Sequence, residues 1–295
     1  MANLKDIKRK ISSVKNTQKT TRAMKLVSSA KLRRTEELAK RSRVYANKLT
    51  EVLNEIAQKL QKNNVDGLDN VYFKDSSNPK VVDIVFITAD KGLCGGFNAQ
   101  TIKRAGQLLA DYKAQGVKVR LRAIGRKGID YFNFNNIEMM NEVIGLSSAP
   151  NYQDAAALIT EISDSYVNGE TDKIIMVHNG YVNMITQEIR QSQVLPVDPS
   201  ILELDQVSTS ELEVEPDEDD TLLEALVKRY VEYTMYYSLI DSLAAEHSAR
   251  MQAMDAATNN AKEMVNKLTV QYNKARQEAI TTELIEIISG MESMK

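Results

Sequence analysis

Three places in the chain carry residue types capable of chemistry. The segment Asp90-Lys91-Gly92-Leu93-Cys94-Gly95-Gly96-Phe97-Asn98 follows a β-rich run and opens a helical stretch, where phosphate-binding loops occur. It fits neither GxxxxGK[ST] nor GxGxxG, because Lys91 precedes the first glycine and no side chain is set for a terminal phosphate. The spacing therefore predicts a tight structural turn. Cys94 is the one cysteine, and neither His178 nor His247 has a sequence link to it, so it reads as a small buried thiol beside glycines. Two histidines and one cysteine so dispersed do not make a metal site. His247 falls on a helical seam and reads as a packed core residue.

Among the elements around these residues, the distribution of helix breakers is the strongest signal. Neither Gly nor Pro occurs from Met1 to Asp66, or from Asp217 to Ser289. The pattern reads as helix, globular insert, helix. In the first helix Asn3 is the expected cap and Asp6 complements the dipole. Leu4, Ile7, Ile11 and Val14 follow at 3/4 spacing, the pattern weakens through Thr17 and Thr21, and it resumes from Tyr45 to Leu60. In the last helix Thr221–Glu224 forms a capping-box sequence. A heptad seam then runs through Leu226, Tyr230, Tyr233, Tyr237, Ile240, Ala244, His247, Met251, Met254, Thr258, Ala261, Val265, Leu268, Tyr272, Ala275 and Ala279. A helix from about 222 to 289 is roughly 100 Å long and needs a partner helix.

The insert reads as α/β. Strands are expected at Lys80–Thr88, at Val117–Ile124 (half-exposed, alternating apolar and basic), at Lys173–Val177, and as one strand over Tyr181–Val194. Helices are expected near 98–115 and 152–168. The fold class is thus mixed α+β and α/β: a long antiparallel coiled coil of the N- and C-terminal helices carrying a central, mostly parallel, doubly wound, Rossmann-like domain. The expected divisions are 1–66 helix, 67–205 α/β domain, 206–220 acidic connector and 221–295 helix.

Charge is unevenly spread. Residues 1–50 hold fifteen Lys/Arg against three acids, and residues 203–224 hold ten acids and no base. Such blocks point to different partners for different regions. Residues 1–44 lack the aromatics that stack bases, which counts against nucleic acid; the run reads as a solvated face or as a basic face that meets an acidic protein surface. One cysteine excludes an internal disulfide and fits a reducing compartment. No stretch approaches the ~20 apolar residues of a membrane span, and the N-terminus has no apolar signal region. The expectation is a protein made in and kept in the cytoplasm, reaching a membrane only through partners.

The terminal run Ile280-Thr281-Thr282-Glu283-Leu284-Ile285-Glu286-Ile287-Ile288-Ser289-Gly290 resembles the C-terminal signature of the gamma subunits of F-type ATP synthases, with Met291 where Ala is usual. Asp90–Asn98 resembles the family's DKGLCGGxN segment, Thr20–Val27 its T-x-A-M-K-x-V helix, and Tyr272–Gln277 its YNxxRQ run. The resemblance spans the chain. It implies a non-catalytic rotor shaft, one copy per complex, standing in a ring of three alpha and three beta subunits. Epsilon and the membrane c-ring sit at its foot, and ion flow is coupled to ATP synthesis or hydrolysis by rotation. It implies no cofactor in this chain, Mg-ATP and ADP being held by the alpha and beta subunits. It also implies a peripheral position on the cytoplasmic face of a bacterial membrane. Contacts to beta subunits are implied for Met24, Lys25, Arg250, Arg276, Gln277, Thr281, Glu283 and Glu286. Two other classes, a nucleic-acid-binding scaffold and a nucleotide-binding enzyme, leave the C-terminal signature unexplained.

Overall fold

A computed structural model describes residues 4–62, 71–73, 78–197 and 219–294. The elements are α1 (Leu4–Lys62), a 3₁₀ turn (Val71–Phe73), β1 (Val81–Ile87), α2 (Phe97–Ala114), β2 (Lys118–Ile124), α3 (Arg126–Phe134), β3 (Asn141–Val143), α4 (Tyr152–Val167), β4 (Lys173–Tyr181), β5 (Gln187–Leu195) and α5 (Asp219–Glu292). The chain divides into two compact units, Met1–Ser29 with Arg250–Lys295, and Ala30–Ala249. The expected cap Asn3 and most of the acidic connector lie outside the described residues. α5 is already helical at Asp219, so Thr221 sits inside its first turn instead of capping it.

The larger unit is built on a five-stranded sheet of order β3-β2-β1-β4-β5. β1 pairs in parallel with both β2 and β4, β2 pairs in parallel with β3, and β5 runs antiparallel to β4. Successive crossovers thus leave the central β1 in both directions, the doubly wound arrangement. Val82, Ile84 and Phe86 pack with Leu108 of α2 and Phe132 of α3 on one face. Val85 and Ile87 pack with Ile159 and Ile162 of α4 and Val231 and Met235 of α5 on the other. Alternation along β1 therefore feeds two cores, which is why the strand reads as a continuous apolar run.

Three local readings needed correction. Tyr181–Val194 is not one strand but the end of β4, a turn and β5. The turn lacks Gly and Pro. Asn183 makes it instead, its Oδ1 accepting from the backbone N–H of Ile185 at 2.8 Å and of Thr186 at 2.9 Å. β2 is not half-exposed: Arg122 is 1% exposed, and its Nε donates to Asp83 on β1 at 2.8 Å. Arg120 bonds the same carboxylate at 2.5 Å, so these two arginines of β2 point inward to a buried acid while Lys118 stays exposed. Helix α3 and strand β3 were not foreseen. α3 carries Gly128 because a Cβ there would stand 2.5 Å from the Phe86 ring. The chain enters α3 through Gly125 at φ +98°, where a Cβ would meet the Thr88 carbonyl oxygen at 1.9 Å.

Within the larger unit α1 and α5 run antiparallel. Tyr233 donates to the Ser42 carbonyl at 3.1 Å and stacks on Tyr45 with ring centroids 4.4 Å apart. The smaller unit repeats the arrangement. Thr21 and Thr258 share a hydroxyl hydrogen bond of 2.7 Å, and Lys25 meets Asp255 at 2.6 Å. The stretch where the apolar pattern of α1 fades is therefore still seam, made of buried small residues: Thr21, Ser28, Thr35 and Ser42. Where a hydroxyl would be orphaned it bonds its own helix, as Thr35 does to the Lys31 carbonyl at 2.9 Å. On α5 the heptad positions Thr258, Ala261, Val265, Leu268, Tyr272 and Ala275 are buried or half-buried between exposed neighbours.

Candidate partner-contact surfaces

The glycine-rich turn between β1 and α2 directs its polar groups inward. Asn98 Oδ1 accepts from the Ala89 N–H at 2.8 Å, and its Nδ2 lies 3.2 Å from Cys94 Sγ. Cys94 is buried and packs against Phe97 and the α5 residues Ala245 and Ala249. Leu93 and Gly95 both take positive φ, 63° and 57°, which closes the turn. Asp90 spans the sheet edge: Oδ1 accepts from the Arg126 N–H at 3.1 Å and Oδ2 from the Gly145 N–H at 3.1 Å. The first N–H of α3, at the positive end of a helix, is thus met by the protein's own carboxylate. Geometrically this is a structural turn.

His178 and Asp241 form a second polar cluster. His178 Nε2 lies 3.1 Å from Asp241 Oδ2, which also accepts from Arg190 Nη1 at 2.8 Å. Asp241 Oδ1 receives the Tyr181 N–H at 3.2 Å, so one carboxylate of α5 holds both strands of the β4–β5 hairpin. His247 is buried, as its seam position predicts. A third cluster joins α4 to α5. Tyr152 donates to Glu232 at 2.5 Å and accepts from Arg229 at 2.7 Å. Burial, then the bond and charge of Glu232, push its phenol up to about 12. Among the described residues no group of three or more His, Cys, Asp and Glu is arranged to hold a metal. Nor is any helix among them long and apolar enough to cross a membrane.

All eight residues singled out for partner contact fall in the smaller unit. Met24 and Lys25 are half-buried on α1, and Lys25 is committed to Asp255 within the chain. Arg250 is half-buried on α5, five positions before Asp255. Arg276, Gln277, Thr281, Glu283 and Glu286 are exposed. At 1.5 Å per residue, Arg250 and Arg276 are separated by roughly 40 Å of helix. The eight therefore form two patches and not one site. Glu283 and Glu286 line a cleft of about 840 Å³ with Leu4 and Ile7 of α1 and Lys274 of α5.

The more telling feature is apolar. Ile280, Leu284, Ile285, Ile287, Ile288 and Met291 are each half or more exposed, and they point to several sides of the helix. Asp255 was missed from the sequence. The signal lay in register: an antiparallel pairing that sets Thr21 against Thr258 also sets Lys25 against Asp255.

Comparison with known proteins gives this geometry its context. Residues 3–294 match the ATP synthase family. The chain is 75% identical to the ATP synthase gamma chain of Sulfurovum over the full length of both. It is 57% identical to that of Wolinella succinogenes, over all of this chain and 99% of the other. Among solved structures, a chain of the Euglena gracilis mitochondrial ATP synthase superposes with TM-score 0.69 at 20% identity, covering 99% of this chain and 94% of that one. A chain of the Tetrahymena thermophila central stalk and c-ring superposes at TM-score 0.60 and 24% identity, covering 81% and 99%. At those identities the structures speak to the fold, and the whole-length relatives speak to the family: this chain belongs to the ATP synthase gamma-chain family.

Proposed function

We propose that this chain is the central-stalk rotor of an F-type ATP synthase, non-catalytic itself, coupling ion flow to nucleotide chemistry in neighbouring subunits. The observation that carries the reading is the bare apolar end of α5. A helix with Ile280, Leu284, Ile285, Ile288 and Met291 exposed on several sides is costly in water, at about 25 cal/mol per Å² of apolar surface, and gains by being surrounded. A sleeve of three alpha and three beta subunits supplies that surround. One shaft then meets three beta subunits unequally and shifts their populations between nucleotide-binding states.

Exposed Arg276, Gln277, Thr281, Glu283 and Glu286 give the shaft polar contacts around its apolar end. Met24, Lys25 and Arg250 form a second contact patch lower on the coiled coil, with Lys25 able to exchange Asp255 for an acidic beta-subunit loop. In this reading residues 1–66 and 221–295 are the shaft, and 67–205 is the domain that meets epsilon and the c-ring. Mg-ATP and ADP are held by the alpha and beta subunits, and the complex lies peripherally on the cytoplasmic face of the membrane.

The test is to tag this chain, purify its complex from membranes, and compare it with a chain truncated after Ala275. Recovery of alpha, beta and epsilon near three, three and one per tagged chain is expected, with the truncation losing ion-coupled ATP synthesis. A tagged chain that recovers no alpha or beta subunit overturns the reading.

A further inference from the structure

Strand β3 closes one end of the sheet and, among the described residues, has a strand on one side only. Edge strands present unpaired backbone groups that another chain can join. The surface around this edge is unusually apolar. Phe134 at the end of α3 is 86% exposed, Tyr131 48%, Met140 51% and Ile144 52%. Single exposed apolar residues are ordinary, but four large ones within fourteen positions, bracketing an open strand, are a patch. The patch is held in place: Asn133, beside Phe134, donates to Glu142 of β3 at 3.1 Å, and Asn141 donates to Glu161 of α4 at 3.2 Å.

Charge says what fits there. From Gly128 to Asp172 the sequence holds eight acids and no Lys or Arg. Glu142 stands exposed on the strand and Glu138 stands exposed just before it. The arginines beneath, Arg120 and Arg122, are turned inward to Asp83. An acidic partner would be repelled from this field, and a basic one steered into it.

We propose that the β3 edge docks a lysine- or arginine-rich extended segment of another protein, with Phe134 and Ile144 as the apolar anchors. Backbone pairing along β3 and its flanks gives register, the anchors give affinity, and Glu138 and Glu142 give orientation and fast association. This surface lies in the larger unit and shares no residue with the eight contact positions of the smaller one. The proposal rests on the reading of this chain as a subunit of an assembled synthase.

The test compares the purified chain with the complex isolated from membranes. In one pair of samples exposed carboxylates are capped with a water-soluble carbodiimide and glycine ethyl ester, and in a second, uncapped pair they are linked to neighbouring lysines by the carbodiimide alone. The expected result is about tenfold slower labelling of Glu138 and Glu142 in the complex, with zero-length links from them to lysines of one neighbouring subunit. The double variant Glu138→Lys/Glu142→Lys is expected to lower recovery of that neighbour and remove its salt dependence. Phe134→Ser, at so exposed a position, leaves the fold intact and weakens the same recovery at every salt concentration. Equal labelling in the free chain and in an intact complex overturns the proposal alone. So does recovery of that neighbour that the double reversal leaves unchanged. A tagged chain that recovers no synthase subunit overturns this proposal and the rotor reading together.

Discussion

Helix α5 is one continuous element with two opposite surfaces. From Ser238 to Ala249 nearly every residue is buried, polar ones included: Asp241, Ser242, Glu246, His247 and Ser248 lie among Leu239, Ile240, Ala244 and Ala245. Beyond Ala261 none of the described residues is buried, although Ile280, Leu284, Ile285 and Ile288 are as apolar as any in the core. Apolarity therefore does not tell core from surface along this helix. What differs is whether the chain supplies its own cover. In the larger unit the sheet, α4 and α1 supply it. In the smaller unit α1 covers a narrow seam, and the rest is left uncovered.

The contrast can be broken at its strongest point first. Asp83→Ala strips the fully buried carboxylate that faces Arg120 and Arg122, and should cost the free chain about 3–5 kcal/mol by denaturant unfolding. Leu239→Ala, in the part of α5 buried by its own chain, should cost about 2–5 kcal/mol in the same measurement. Lys25→Ala removes an ion pair whose side chains are 39% and 47% exposed, and should cost about 0.5 kcal/mol, less at high salt.

Ile285→Ser should change the free chain's stability by less than about 0.5 kcal/mol. Yet it should lower the yield of intact complex, measured by gel filtration. An equal loss in Leu239→Ala and Ile285→Ser would dissolve the distinction between the two halves.

Alkaline pH gives a finer probe. Because the folded phenol of Tyr152 titrates near 12 and a free tyrosine near 10, its neutral form is favoured by folding. That contribution is complete below pH ~10 and fades as pH rises towards 12. Tyr152→Phe should flatten this decline, followed by thermal unfolding across that window.

Much of this architecture is legible because helix breakers and heptads report local geometry. The absence of Gly and Pro marks out both long helices, although α5 runs on through Gly290 to Glu292, and the α5 seam stands where its spacing puts it from Leu226 to Ala275, with Ala279 exposed beyond it. What escaped depends on partners distant in sequence. Arg120 and Arg122 look like solvent-facing residues until Asp83, some forty positions earlier, is known to sit across the strand pair. The β4–β5 turn escaped because Asn183 replaces the usual glycine or proline. β3 escaped because three residues carry too little periodicity to register. For the contact surfaces, the exposed C-terminal run was legible as a departure from the heptad, while the acidic field around β3 was not seen as a block. Its acids are spread over forty-five positions, and only folding brings Glu161 of α4 to the strand that carries Glu142.

Asp90 ties the glycine-rich turn to a question of competition. Its two oxygens hold the N–H groups of Arg126 and Gly145 at the carboxyl end of the sheet, where doubly wound folds elsewhere receive phosphates. A free anion could reach those amides only by displacing a carboxylate tethered to the same chain. A tethered group acts at an effective concentration in the millimolar range or above, whatever the surroundings contain. The turn is thus buffered against changes in free phosphate by a counter-anion that cannot diffuse away.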